Sequence, residues 1–274
     1  MEAKRKPLLR SRQVKNRLTI GVFSDTIYTM KPTLKFGNPN AKLKAMVKRL
    51  GVRLSTFTLP AGYTCPGAKE CQSFAHRETG KITDGKETLF RCFAASAEAV
   101  YPSLRKMVWH NLELIRAALG EGWMVCAQLI QDSLPKKFDV LRVHVGGDYF
   151  SEEYLLAWIH VAKQNPDKVF YSYSKSLHFI KKYALPENLV VTASRGGKYD
   201  ELIDLHGWKE ALVVYSEEEA EEKGLEIDHD DTHAAFGKEN FALLIHGTQP
   251  KGSAASVALS AIKRANKQQQ LATA

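Results

Sequence analysis

The chain has 274 residues, of which 44% are hydrophobic and 25% charged, the balance of a globular protein that buries a core without disulfides. Thirty-nine Lys and Arg against 30 Asp and Glu give a formal charge of +9. No run of about 18 apolar residues exists to cross a bilayer, and the basic start lacks the apolar block of a secretory signal. The expectation is a soluble, cytoplasmic protein without a membrane partner.

Charge is concentrated at one end. Residues 1–53 carry 14 Lys and Arg against Glu2 and Asp25, 14 − 2 = +12, whereas the remainder carries 25 basic and 28 acidic residues, 25 − 28 = −3. Such a basic N-terminal extension either neutralises nucleic-acid phosphates, with steep salt dependence, or is a solvated arm. Its aromatics, Phe23, Tyr28 and Phe36, are too sparse for a base-stacking platform. Composition and pattern divide the chain into this extension over 1–53, an α/β body over 54–266 and a flexible tail over 267–274, where KQQQLATA is of low complexity.

Within the extension, Leu18 to Phe23 reads as a strand and Lys42 to Leu50 as a short basic helix. Leu54 to Leu59 is the first strand of the body. Leu104, Met107, Val108, Leu112, Ile115 and Leu119 recur at helical spacing up to Gly120, and a second helix from Trp123 to Leu134 stops at Pro135. Short buried-strand patterns follow at Val140 to Val145, Lys168 to Tyr173, Asn188 to Thr192, Ala211 to Tyr215 and Asn240 to His246. Between them lie helical stretches at Glu152 to Lys163, Leu177 to Tyr183, Tyr199 to Leu205 and Glu217 to Lys223, with Ser253 to Ala265 as a terminal helix. Six strands, each followed by helix, predict a parallel-stranded partial (βα)6 barrel. In such folds ligands sit at the C-terminal ends of the strands.

The loop after the first strand holds Cys65 and Cys71, and Cys92 follows, a C-x5-C-x20-C spacing that gathers three of the four cysteines at one strand end. In a chain of this size without a secretory signal, that clustering points to metal binding or catalysis rather than disulfides. Three thiolates suit a [4Fe-4S] cluster with one open iron, whereas structural zinc wants four closed ligands, for which His76 or Cys126 would have to serve. Cys126, between Val125 and Ala127 on an apolar helix, reads as an inert buried thiol.

The second strand ends in Val145-Gly146-Gly147-Asp148, where two glycines admit a ligand close to the backbone and a carboxylate can accept from an amine or hydroxyl. Ser151 with Glu152 and Glu153 has the pattern of a helix N-cap and acidic first turn. Ser174 and Lys175 close the third strand, Ser194 and Arg195 the fourth, and His246 to Pro250 the last. Asp228 to His233 contains metal-friendly residue types, and a solvated acidic loop is the preferred reading. A nicking nuclease would need a histidine pair that His144 lacks, since Gly146 stands two residues on.

Thr64-Cys65-Pro66-Gly67-Ala68 with Cys71, Arg91-Cys92-Phe93-Ala94, Arg142 to Phe150 and Phe241 to Pro250 together resemble the mycobacteriophage gene product eighty-eight family, over roughly Leu54 to Ser253. That family is of little-defined function, and some relatives carry loose replication-associated labels; the nucleic-acid partner is expected from the basic N-terminal segment. More distantly, the order of parts is similar to radical S-adenosylmethionine enzymes, although their usual C-x3-C-x2-C spacing is absent. That resemblance implies iron ligation by Cys65, Cys71 and Cys92, and S-adenosylmethionine contacts through Gly146, Gly147, Asp148, Ser174, Ser194 and Arg195. It further implies reductive cleavage of that cofactor and radical chemistry on a small-molecule or nucleotide substrate. The alternative is a non-catalytic nucleic-acid-binding protein with a structural zinc or iron-sulfur site.

Overall fold

The computed structural model describes residues 32–272. The strand expected at Leu18 to Phe23 and most of the basic extension lie outside the described residues. The remainder of that extension, residues 32–53, is built into the α/β body: helix α1 (Ala41–Leu50) buries Leu43 and Met46 against the sheet. Its start is set by Asn40, whose side-chain oxygen accepts from the Leu43 N–H at 3.0 Å. Gly51, at φ 67°, closes it in the left-handed conformation.

Seven parallel strands form one curled, open sheet in the spatial order β1-β4-β5-β6-β7-β9-β8. They are β1 (Leu54–Thr56), β4 (Val140–Arg142), β5 (Val169–Ser174), β6 (Leu189–Ser194), β7 (Glu210–Val214), β9 (Phe241–Leu244) and β8 (Glu226–Ile227). The first six are the expected strands in the expected order; β8, only two residues long, is the unexpected edge. A separate antiparallel hairpin, β2 (Ser73–Ala75) and β3 (Ile82–Asp84), interrupts the long connection after β1.

That connection continues through α2 (Phe93–Val100), α3 (Pro102–Glu121) and α4 (Trp123–Ser133). The α3 to α4 break falls at Gly122 (φ 127°), two residues beyond the expected Gly120. Helix α5 (Glu152–Gln164) starts as its sequence indicates, with Ser151 Oγ accepting from the Tyr154 N–H at 3.2 Å and Glu152 and Glu153 in the first turn. Shorter helices α6 (Leu177–Ile180), α7 (Glu201–His206), α8 (Glu217–Glu222) and α9 (Thr232–Phe236) link the later strands. The last, α10 (Ala254–Ala272), carries helix through most of the segment expected to be a flexible tail.

Strand periodicity explains the layering. Leu141 and Phe170 point into the larger core with Leu112, Ile115, Ile130 and Trp158 of α3, α4 and α5. Their neighbours Val140 and Tyr171 point the other way, onto Leu43 and Met46 of α1, with Ala211 and Phe241. Two residues further along the same face stand Arg142, Tyr173, Val213 and Leu243, and these four line a cavity. The inner face of the sheet therefore has an apolar floor, packed by α1, and a ligand-accessible layer above it at the C-terminal strand ends.

Candidate functional site

The cavity has a volume of about 260 Å³ and is lined by loops from five of the parallel strands. Cys65, Cys71 and Cys92 all line it, as do Gly146, Gly147, Asp148, Ser174 and Ser194. Arg195 does not: its guanidinium pairs with Glu210 and Asp204, and only its backbone carbonyl turns inward, accepting from Lys175 Nζ. The Arg195 side chain, expected to contact the cofactor, is therefore not among those that line the cavity. Its charge is already matched by two carboxylates on the far side of β6.

The cysteine loop is held by backbone bonds. The Ala68 N–H donates to the Cys65 carbonyl at 3.1 Å, the Glu70 N–H to the Gly196 carbonyl at 3.0 Å and the Lys198 N–H to the Gly67 carbonyl at 2.9 Å. The last two bonds tie the loop to the turn after β6. Cys92 is positioned separately, as the residue before α2; its N–H donates to Ser73 Oγ of the hairpin at 3.2 Å. The preceding residue, Arg91, is clamped by Gln249, whose Oε1 accepts from the Arg91 N–H at 2.8 Å and whose Nε2 donates to the Arg91 carbonyl at 3.1 Å. Arg91 also grips Asp84 of β3, with Nη2 to Oδ2 at 2.6 Å. Hairpin and last loop together thus fix where Cys92 stands.

All four cysteines are free thiols. Burial pushes the Cys65 thiol well up, helped by Asp148 and the other two thiols, and pushes Cys92 to about 12. Burial also raises Cys71, against the pull of Lys175. Three neutral thiols facing one cavity become thiolates when a metal supplies the compensating positive charge. Gly146 and Gly147 line the same cavity, and their missing side chains let the turn after β4 pack tightly against the segments that carry Cys65 and Cys92. A Cβ at Gly146 would meet Ala94 Cβ at 2.8 Å, and one at Gly147, itself at φ 84°, would meet Thr64 Oγ1 at 2.6 Å.

Asp148 bridges two loops. Its Oδ1 accepts from the Tyr149 N–H and Ser174 Oγ, both at 2.7 Å, and Oδ2 accepts from the Lys175 N–H at 2.8 Å. Burial nevertheless holds its carboxyl above the usual range. Lys175 Nζ continues the chain by donating to the Ser194 carbonyl at 2.7 Å. Asp148 is therefore first a strut between strand ends.

Neither candidate fourth zinc ligand joins the site. Cys126 is fully buried in the larger core, as its apolar neighbours indicate. His76 is exposed, with Nδ1 accepting from the Thr79 N–H at 3.2 Å. Among the described residues, no three or more His, Cys, Asp or Glu side chains converge as ligands to one ion. A mononuclear zinc site requires that convergence, whereas the cysteines of a cubane sit on separate irons.

The segment Asp228 to His233 departs from the expected solvated loop. Asp228 and Asp231 are both buried. Asp231 stands at φ 69°, a left-handed conformation Asp tolerates, and accepts from Arg142, Tyr171 and Tyr173 while pairing with Lys42 at 2.7 Å. Burial opposes its ionisation, but Arg142 and Lys42 outweigh it and hold the carboxyl below the usual range. Arg142, Lys42, Tyr173 and Asp231 all line the cavity, a charged wall that sequence reasoning missed. The hydrophobic period of β4 offered one signal, since Arg142 falls on the buried phase set by Val140.

An α/β protein with one cavity across the C-terminal ends of an all-parallel sheet, and three thiols inside it, is the class that fold and site define. The Gene product 88 family matches residues 31–269, and the chain belongs to that family. It is 29% identical over 159 residues to the Gene 88 protein of Mycobacterium phage L5, covering 55% of this chain and 60% of that protein. The Gene 88 protein of Mycobacterium phage D29 is 32% identical over 93 residues, covering 31% of this chain and 38% of that one. The chain thus spans less than two thirds of either relative. No solved structure matches it. The family assignment agrees with the first resemblance read from the sequence, whereas the likeness to radical S-adenosylmethionine enzymes finds no support in these matches. No helix among the described residues is long and apolar enough to cross a membrane.

Proposed function

We propose that this member of the Gene product 88 family is an iron-sulfur protein, with Cys65, Cys71 and Cys92 holding a [4Fe-4S] cluster in the strand-end cavity. The observation that carries the reading is that three cysteines separated by 5 and 20 residues line one cavity that the fourth cysteine does not reach. That the Gly146-Gly147-Asp148 turn lines the same cavity as the three cysteines supports S-adenosylmethionine as the second ligand. The Asp148 carboxylate and the Ser174 and Ser194 hydroxyls would orient its amino and ribose groups. A three-cysteine cluster with S-adenosylmethionine supplies one-electron cleavage chemistry when both are bound. The chain's own part is to orient the cofactor, keep water out through the buried strand ends, and place a small-molecule or nucleotide substrate nearby. The work site is the phage host's cytoplasm.

Iron, acid-labile sulfide and zinc are to be measured on anaerobically purified protein and on Cys65→Ala, Cys71→Ala and Cys92→Ala. Near four irons and four sulfides per chain, lost in each variant, is the expected result. Stoichiometric zinc without sulfide after reconstitution would overturn the reading. It would favour a nucleic-acid-binding protein with a structural metal, whose phosphate contacts come from the basic N-terminal residues.

A further inference from the structure

The cavity has a second chemical end. Arg142 is 7% exposed and its guanidinium plane is fixed on three sides: Nε donates to the His144 carbonyl at 3.3 Å, Nη1 donates to Asp231, and the group lies 5.0 Å above the Tyr173 ring. Its Nη2 has no partner among the described residues, and it is not one of the partnerless polar atoms sealed from solvent. Lys42 spends one ammonium proton on Asp231 Oδ1 at 2.7 Å, which leaves two donors beside the cavity.

Asp231 cannot absorb those donors. Its two oxygens already take Arg142 and Tyr171 on one side and Lys42 and Tyr173 on the other. Its other neighbouring acid, Asp228, turns both oxygens to backbone N–H groups of Asp230 and Ala234. The Arg142 Nη2 and the two remaining Lys42 protons thus face the cavity with no carboxylate oxygen of Asp231 or Asp228 turned to take them. Helix α1 presents its N-terminal turn, Asn40 and Lys42, to the same space, which adds to the positive potential there.

We infer that Lys42 and Arg142 form a subsite for one anionic group, a carboxylate or phosphate, of a small molecule bound in the cavity. Arg142 supplies the fixed, planar edge that such oxygens accept from, and Lys42 supplies an adaptable charge. Asp231 holds both cations in place and keeps them from pairing with other acids. The inference deepens the proposed function, because it names the substrate's handle in that cavity. It needs the cavity but not the cluster, so it is tested on cluster-free, zinc-free full-length protein.

Calorimetric titration at low salt with inorganic phosphate, adenosine 5′-monophosphate, succinate and uncharged adenosine separates the two anion sources. Saturable binding of a phosphate probe or of succinate, but not of adenosine, is expected. Lys42→Met should weaken the bound probe about tenfold or more, and Lys42→Arg should restore most of it. Lys42→Met leaves Asp231 with Arg142 and two tyrosines, so the variant keeps its fold. As a check on the unaltered chain, the bound probe should slow acetylation of Lys42 but not of exposed Lys44, read by mass spectrometry. No saturable binding of any anion, equal affinity in Lys42→Met, or an unchanged Lys42 acetylation rate would each overturn the subsite. Failure here in a chain that still takes up iron strikes the subsite alone.

Discussion

Gly67 passes so close to the backbone of Lys175 that a Cβ at Gly67 would stand 1.9 Å from the Lys175 carbonyl oxygen. No side-chain adjustment relieves that clash, because the obstacle is main chain. The turn between Cys65 and Cys71 is therefore packed directly against the end of β5, and a bulkier residue there must move one of them. Gly67→Ala is expected to lower the melting temperature and metal content together. Gly120→Ala is the contrasting control: it sits within α3 with nothing near its Cβ, and should stabilise by about 0.5–1 kcal/mol. Thermal melts of both variants check the pair.

The buried wall of Arg142, Asp231 and Lys42 makes a prediction about acid. The Asp231 carboxyl is held below the roughly 3.9 of an unfolded chain. Its contribution to stability is therefore present above about pH 4 and lost as pH falls through the depressed native value. Asp231→Asn leaves Arg142 buried without its counter-charge, which should cost about 3–5 kcal/mol at neutral pH. The difference from the parent protein should shrink as pH falls below 4. Urea unfolding midpoints across that range measure it.

Glu98 on α2 predicts the opposite slope. Its Oε1 accepts from the Ala61 N–H at 2.9 Å, but Oε2 is buried without a partner, and burial pushes the carboxyl up to about 7. A raised native pKa gives stability fully present below the unfolded value of about 4.5 and lost as pH rises toward 7. Glu98→Gln should gain stability relative to the parent as pH rises over that window. The difference between variants is the quantity to follow. His144, held neutral by burial and pushed down to about 3, adds a slope of the other sign to both proteins.

Cys126 separates packing from ligation. It is buried in the core with no cavity contact, so Cys126→Ala should lower stability by about 1–2 kcal/mol while leaving metal content unchanged. Metal loss in Cys126→Ala equal to that in Cys92→Ala would contradict the assignment of ligands.

The local part of this structure was legible in the sequence and the non-local part was not. The six strands from Leu54 to Leu244, the Ser151 cap of α5 and the buried fate of Cys126 follow from periodicity and capping chemistry within short windows. The cysteine grouping was legible for the same reason, since it lies at one strand end. The Arg142 to Asp231 bond spans 89 positions and the Gln249 clamp on Arg91 spans 158, and no local pattern announces either. Hairpin β2 and β3 was also missed; at three residues per strand it is too short for alternation to register. Arg195 misled because its strand-end position was right while its side chain turned to Glu210 and Asp204.

Three cysteines and the Gly146-Gly147-Asp148 turn share one cavity, proposed to hold a [4Fe-4S] cluster and S-adenosylmethionine. Electron paramagnetic resonance of the reduced, anaerobically reconstituted protein, before and after adding S-adenosylmethionine, tests that proposal most directly. The expected result is a [4Fe-4S] signal that shifts on addition and is absent in Cys65→Ala, Cys71→Ala and Cys92→Ala. A reconstituted protein with no cluster signal, or a signal that survives all three cysteine variants, would contradict it.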